Sequence, residues 1–236
     1  MIIYKKAIFS GNFTELLEYE NGLKINFKVE NIKKRTKKGS VKKIRPDNYI
    51  RAKNTIKRLA WANQNSFKTF ITLTFAENVT DIDKANKQLN IFQKRIKRAF
   101  PDVQYLGVME FQKRGSIHYH FLFSHYVSAD LLADYWGQGF VKIQKIKNKK
   151  NLGQYIVKYM TKELFNDNRY FMKRKFFYSR NLKKPIIITC QKLIDKIFNL
   201  NYNEIKLNKL FSINFEIDYI GKIQYTLFSV QYLTIQ

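Results

Sequence analysis

Apolar positions in this chain alternate between two periods, and the switches mark the predicted elements. KTFITLTF (68–75) and SIHYHFLF (116–123) are apolar runs of strand length, and VQYLGVMEF (103–111) and FVKIQKI (140–146) complete a set of four strands. Between the first two, Ile82, Ala85, Leu89, Phe92 and Ile96 recur at helical spacing. That helix is predicted to start at a Thr80 cap and to stop at Phe100-Pro101. Ser128 can cap a short helix through Trp136, which Gly137 and Gly139 then break. A further helix is predicted from about Asn151 to Phe165, and an earlier one over NYIRAKNTIKRLAWANQ (48–64). Near the start, residues 1–30 predict two short strands around the turn-like Glu20-Asn21-Gly22, with LKINFKV alternating as a strand should. Residues 211–231 predict a hairpin around Gly221.

The middle of the chain therefore runs β-α-β-β-α-β and then a helix. This is the split βαβ, ferredoxin-like arrangement: an α+β fold with an antiparallel sheet, a following helix, and basic additions before and after it. The expected boundaries are 1–46 for the N-terminal strands and basic segment, 47–166 for the central domain, and 167–236 for a basic, aromatic segment and hairpin. Such a fold hosts many functions, so chemistry must come from particular residues.

Charge narrows the field. Lys and Arg number 44 against 18 Asp and Glu, a net charge of +26 that a polyanionic partner accounts for. Compositional bias toward Lys would raise Asp and Glu as well, and here they are scarce. Twelve basic residues and one acid, Asp47, lie between Lys33 and Arg58. Candidate DNA contacts are Lys33, Lys34, Arg35, Lys37, Lys38, Lys42, Lys43 and Arg45 in that run, and Arg114 in a hairpin turn. Lys173, Arg174, Lys175 and Arg180 join them from RYFMKRKFFYSRNLKKP (169–185). In that last segment the aromatics either stack bases or leave Phe171, Phe176 and Phe177 in the core. The single cysteine, Cys190, excludes an intramolecular disulfide and a Cys-rich zinc site, which suits a bacterial cytoplasm. No run reaches membrane-spanning length, and there is no P-loop, so neither a membrane protein nor an ATPase is expected.

Two constellations carry chemistry. Residues two apart on a strand face one side, so His118 and His120 project together and can bind one divalent ion. A three-residue loop, Lys113 to Gly115 with glycine in the left-handed position, pairs Gln112 with Ser116 and sets Glu110 opposite His118 as a third ligand. An isolated His-x-His more often fills polar gaps, but two of the three histidines lie here with a carboxylate in reach. The second constellation is Tyr155, Lys158, Tyr159 and Lys162. On a continuous helix these share one stripe, away from Val157, Met160 and Leu164. A phenol titrating near pH 10 needs a cation or a proton acceptor before it attacks phosphorus, and the two lysines supply charge one turn away.

Together the motifs resemble the HUH superfamily of rolling-circle replication initiators, over 67–165 and on toward Pro185. ITLTF (71–75) resembles the first family motif and His118-Tyr119-His120 the metal motif; Tyr-x-x-Lys at 155–158 and 159–162 resembles the tandem tyrosines of phage gene A-type initiators. The resemblance implies a metal-dependent endonuclease and strand transferase acting on single-stranded DNA or an origin hairpin with Mn²⁺ or Mg²⁺. Tyr155 or Tyr159 on the catalytic helix would form a 5′-phosphotyrosine bond, Tyr155 cutting first, with a separate host helicase and polymerase as partners. Conjugative relaxases usually carry the tyrosine before the histidines, whereas here it follows. An HUH transposase and a non-catalytic basic nucleic-acid-binding protein remain the alternative readings.

Overall fold

The computed structural model describes residues 2–24, 48–147, 151–166, 172–199, 205–218 and 220–232. The basic run 33–45, with its eight candidate DNA contacts, and residues 25–29 of the alternating LKINFKV segment lie outside them. Two compact units emerge, one from residues 44–183 and one from residues 1–43 and 184–236.

The first unit holds the sheet expected from the pattern. Its strands are β3 (Thr69–Thr74), β4 (Tyr105–Phe111), β5 (Ile117–Phe123) and β6 (Val141–Lys145), joined by helices α2 (Ile82–Ala99) and α3 (Ala129–Trp136). Every pairing is antiparallel, and the order β6-β3-β5-β4 inserts β5 between β3 and β4, as the split βαβ unit requires. A fifth strand, β7 (Phe176–Tyr178), pairs with the outer edge of β4. The segment expected to begin a C-terminal addition at 167 thus contributes a strand to the central sheet.

Alternation decides which face each side chain serves. Ile71, Leu73, Phe75, Tyr119, Phe121 and Phe123 are buried on the face covered by α2 and α3, where Trp136 packs edge-on to Phe92 and Tyr119. Phe70, Thr72, His118, His120, Val108 and Glu110 take the other face by the same alternation and register. Against it lie α1 (Asn48–Ala62) and α4 (Leu152–Val157), which pack on each other.

Two helix boundaries differ from expectation. Asp81 rather than Thr80 caps α2, because its carboxylate accepts from the backbone N–H of both Asp83 and Lys84. The helix expected from Asn151 to Phe165 is broken. α4 ends at Val157, the chain continues through i→i−3 turns to Met160, and α5 (Lys162–Asn166) restarts where the Thr161 hydroxyl accepts from Leu164 N–H.

The second unit is a five-stranded antiparallel sheet in the order β8-β1-β2-β10-β9. It comprises β1 (Ile2–Ser10), β2 (Phe13–Lys24), β8 (Ile186–Ile188), β9 (Ile205–Ile217) and β10 (Gly221–Tyr232), with α6 (Gln191–Asn199) burying Ile194 against Ala7 and Leu16. The turn of the first hairpin is at Gly11-Asn12, where Gly11 has φ +61° and Ser10 pairs with Phe13. Gly22, at the expected turn, instead lies within β2 opposite a register shift between Ile3 and Lys5. The hairpin around Gly221 forms as expected.

Candidate active site

The β4–β5 hairpin sets the site. Gly115 takes φ +86°, Gln112 N–H donates to the Ser116 carbonyl at 2.9 Å, and Glu110 pairs with His118, which is the register that the three-residue loop predicts. On the other side of β5, Thr72 pairs with His120 and Thr74 with His118. Two imidazoles, one carboxylate and two hydroxyls therefore share one patch of sheet.

The histidines are not equivalent. His120 is held at both nitrogens, with Nδ1 3.1 Å from Thr72 Oγ1 and Nε2 2.7 Å from Glu110 Oε2. When Nδ1–H donates to the threonine, Nε2 turns its lone pair toward the carboxylate, a contact that only a proton or a cation makes favourable. His118 is buried, and its Nε2 has no hydrogen-bond partner. Burial, aided by the charges of His120 and Arg114 and opposed by Glu110, lowers the His118 pKa to about 4. At neutral pH it is an uncharged imidazole with an unsatisfied nitrogen, the form a metal ion requires.

As arranged, Glu110 is engaged with His120 rather than with His118. Among the described residues, no three His, Cys, Asp or Glu side chains gather into a metal-holding group. Neighbouring ligands on an octahedral ion at about 2.1 Å lie about 3.0 Å apart, so the 2.7 Å His120–Glu110 contact would have to open slightly around an ion. The chemistry of the set fits an open site of two imidazoles and a carboxylate, with positions left for substrate oxygen and water.

The tyrosines stand over this patch. The Tyr159 ring stacks on His120 with centroids 3.9 Å apart, and its hydroxyl donates to the Tyr155 hydroxyl at 3.4 Å. Phe70 lies under both, parallel to Tyr159 at 5.4 Å and edge-on to Tyr155 at 4.9 Å. Burial, then the bond to Tyr155, pushes the Tyr159 pKa upward. The Lys158 ammonium sits 5.4 Å from the centre of the Tyr155 ring. Lys162, across the helix break, opens α5 on an exposed side chain, so Tyr155, Lys158, Tyr159 and Lys162 do not form a continuous helical stripe.

The nucleophile-bearing helix is anchored by its neighbours. Asn151 Oδ1 caps α4 through Gln154 N–H at 3.0 Å and also accepts from the buried Trp61 indole at 2.8 Å. Gly153 packs so closely that an added Cβ would come within 2.6 Å of Trp61 Nε1. Sequence reading gave no role to Thr72 as a partner of His120, to Phe70, or to Trp61 and Asn151. Only Thr72 left a signal, its alternation with Ile71 and Leu73.

The candidate DNA contacts scatter. Arg114 is exposed at the hairpin turn, its Nε donating to Gln112 Oε1 at 3.0 Å. Lys173 is ion-paired with Asp83, and Lys175 is buried with its ammonium 5.3 Å from the Phe165 ring. The Arg174 guanidinium lies 4.9 Å over Phe177, and Arg180 is exposed.

Among the described residues, no helix is long and apolar enough to cross a membrane. No curated protein and no solved structure shows a significant match to the chain. Residues 68–164 match the model of a family of replication-associated proteins, described by its ORF2 and gene 2 protein members. That span runs from β3 into α5 and contains both histidines, Glu110 and both tyrosines, which supports kinship with replication initiators.

Proposed function

We propose that this protein nicks and rejoins single-stranded origin DNA through a 5′-phosphotyrosine intermediate, with a divalent ion held by His118, His120 and Glu110. The observation that carries this reading is the pair of tyrosine hydroxyls 3.4 Å apart above a buried imidazole that has an unsatisfied nitrogen. When bound, Mn²⁺ or Mg²⁺ supplies Lewis-acid polarisation of the scissile phosphate. Imidazole ligands favour Mn²⁺ over the oxygen-seeking Mg²⁺.

The chain's own residues supply the rest. Tyr155 is the first nucleophile, because the hydroxyl of Tyr159 donates to its oxygen and Lys158 brings a positive charge to its ring, and both favour charge on Tyr155 during attack. A Tyr–O–P bond forms as the P–O3′ bond breaks, and the proton lost by the phenol balances the one gained by the departing 3′ oxygen. Attack by a 3′-hydroxyl on the same phosphorus reverses the step. Thr72 holds the His120 ring, and Phe70 keeps both phenols over it. The protein's partners in this reading are single-stranded DNA or an origin hairpin, a host helicase and a polymerase, in a bacterial cytoplasm.

A reading without chemistry, as a basic DNA-binding module, draws on the lack of a gathered three-ligand group among the described residues. One experiment decides between them. Labelled single-stranded oligonucleotides tiled across the DNA flanking the gene are incubated with protein and Mn²⁺, then run on a denaturing gel. A covalent adduct mapping to Tyr155 or Tyr159, absent from the Tyr155→Phe/Tyr159→Phe double variant, is expected. Reversible binding with no adduct, or an adduct on Tyr119 or Tyr178, overturns the proposal.

A further inference from the structure

The edge strand β7 alternates sharply. Phe177 is buried against Tyr119 and Phe121, whereas Phe176 is half-buried and Tyr178 is 38% exposed. The exposed pair does not serve the core. Phe176 pairs with Val108 and Tyr178 with Leu106, so both side chains take the face of the sheet that bears His120 and Glu110. Phe176 is one strand across and two residues along from the Glu110 carboxylate.

Their geometry is that of a platform. The two rings are within 11° of parallel with centroids 6.3 Å apart. That is close to twice the ~3.4 Å step between stacked bases, so neighbouring unpaired bases can rest against this surface without breaking their own stack. The rings line a cleft of about 1120 Å³ whose wall carries Lys94, Lys97, Lys173, Arg174, Lys175 and Arg180 and no carboxylate. Lys173 and Lys175 already have partners within the fold, but Lys94, Lys97, Arg174 and Arg180 are exposed along it. Parallel aromatic faces beside a one-sign row of cations match a chain of alternating bases and phosphates.

We propose that Phe176 and Tyr178 form a stacking subsite for unpaired bases of the single-stranded DNA, holding the strand beside the cleavage site while the surrounding cations track its backbone. The inference rests on the reading of the chain as acting on single-stranded DNA, and it is tested without cleavage. The full-length protein is titrated, in EDTA, with fluorescein-labelled oligothymidylate and with an equally long oligonucleotide of abasic sites, and binding is followed by anisotropy. Phe176→Leu and Tyr178→Leu should each weaken oligothymidylate binding about tenfold and leave abasic binding unchanged. Phe176→Tyr and Tyr178→Phe should restore near-native affinity, which a merely misfolded variant would not allow. Equal binding of the two ligands by the native protein, or equal losses on both ligands in the Leu variants, overturns the platform. If base discrimination survives but no adduct forms with Mn²⁺, the nuclease reading fails while the subsite stands.

Discussion

The two sheets have the same number of strands and are put to opposite uses. The sheet of residues 44–183 gives one face to a continuous core from Ile71 to Trp136 and the other to His118, His120 and two tyrosines, under helices on both sides. In the sheet shared by the two ends of the chain, the buried cluster among the described residues is Ala7, Leu16 and Ile194, and β9 carries exposed Leu210, Phe211, Ile213 and Phe215. The contrast teaches where chemistry can be housed. Leaving an imidazole nitrogen buried without a partner costs on the order of 1–3 kcal/mol, and a densely packed neighbourhood can offset that loss.

The sharpest way to break the comparison is at the site itself. His120→Ala should lower the rate of adduct formation about a thousandfold or more in a quenched-flow gel assay, with DNA binding retained, because phosphate contacts elsewhere supply affinity. Full activity of the His118→Ala/His120→Ala variant with EDTA present would end the metal reading. Next comes packing. Phe121→Ala, in the dense sheet, should lose about 3–5 kcal/mol in urea denaturation, whereas Phe211→Ala on β9 should stay within about 0.5 kcal/mol. Similar losses at both would mean that the second sheet is as tightly built as the first.

A third effect depends on pH. The folded protein holds His118 neutral down to about pH 4, while the unfolded chain takes up that proton near pH 6.5. Metal-free stability should therefore be flat above pH 6.5 and fall between 6.5 and 4, by at most about 3 kcal/mol from this group. His118→Gln should flatten that stretch of the curve, and a slope unchanged by the substitution would refute the assignment. The smallest effect is expected at Thr72→Val, which removes the partner of His120 Nδ1. It should cost about 10- to 100-fold in Mn²⁺ affinity by titration while leaving the melting temperature close to native.

What could be read from sequence was whatever leaves a local mark. Gly115 announced the loop, and the loop fixed Glu110 opposite His118. The apolar spacing from Ile82 to Ile96 gave the buried face of α2 residue by residue. Adjacent signals of similar strength were harder to rank: Thr80 against Asp81 at the cap, and Asn21-Gly22 against Gly11-Asn12 at the turn. The restart at Thr161 was hidden by the tyrosines, whose even spacing imitates one helix. Pairings across distance leave no local trace at all. Nothing in FFY says that it will lie against β4, and nothing near Glu15 says that its carboxylate will accept a hydrogen bond from Tyr225, 210 residues away.

That last pairing has a consequence in time. A ribosome delivers β2 early and its partner β10 nearly two hundred residues later, so one edge of the first hairpin waits through synthesis of most of the chain. The sheet that bears the histidines needs no such wait, since its strands all fall between Thr69 and Tyr178 and its central pairings are closer still. Cotranslationally, the histidine-bearing domain can close as a unit while its flanking sheet is still incomplete. Chains stalled or cleaved between residues 183 and 221 would then retain the histidine–tyrosine sheet while leaving a hairpin edge open to association.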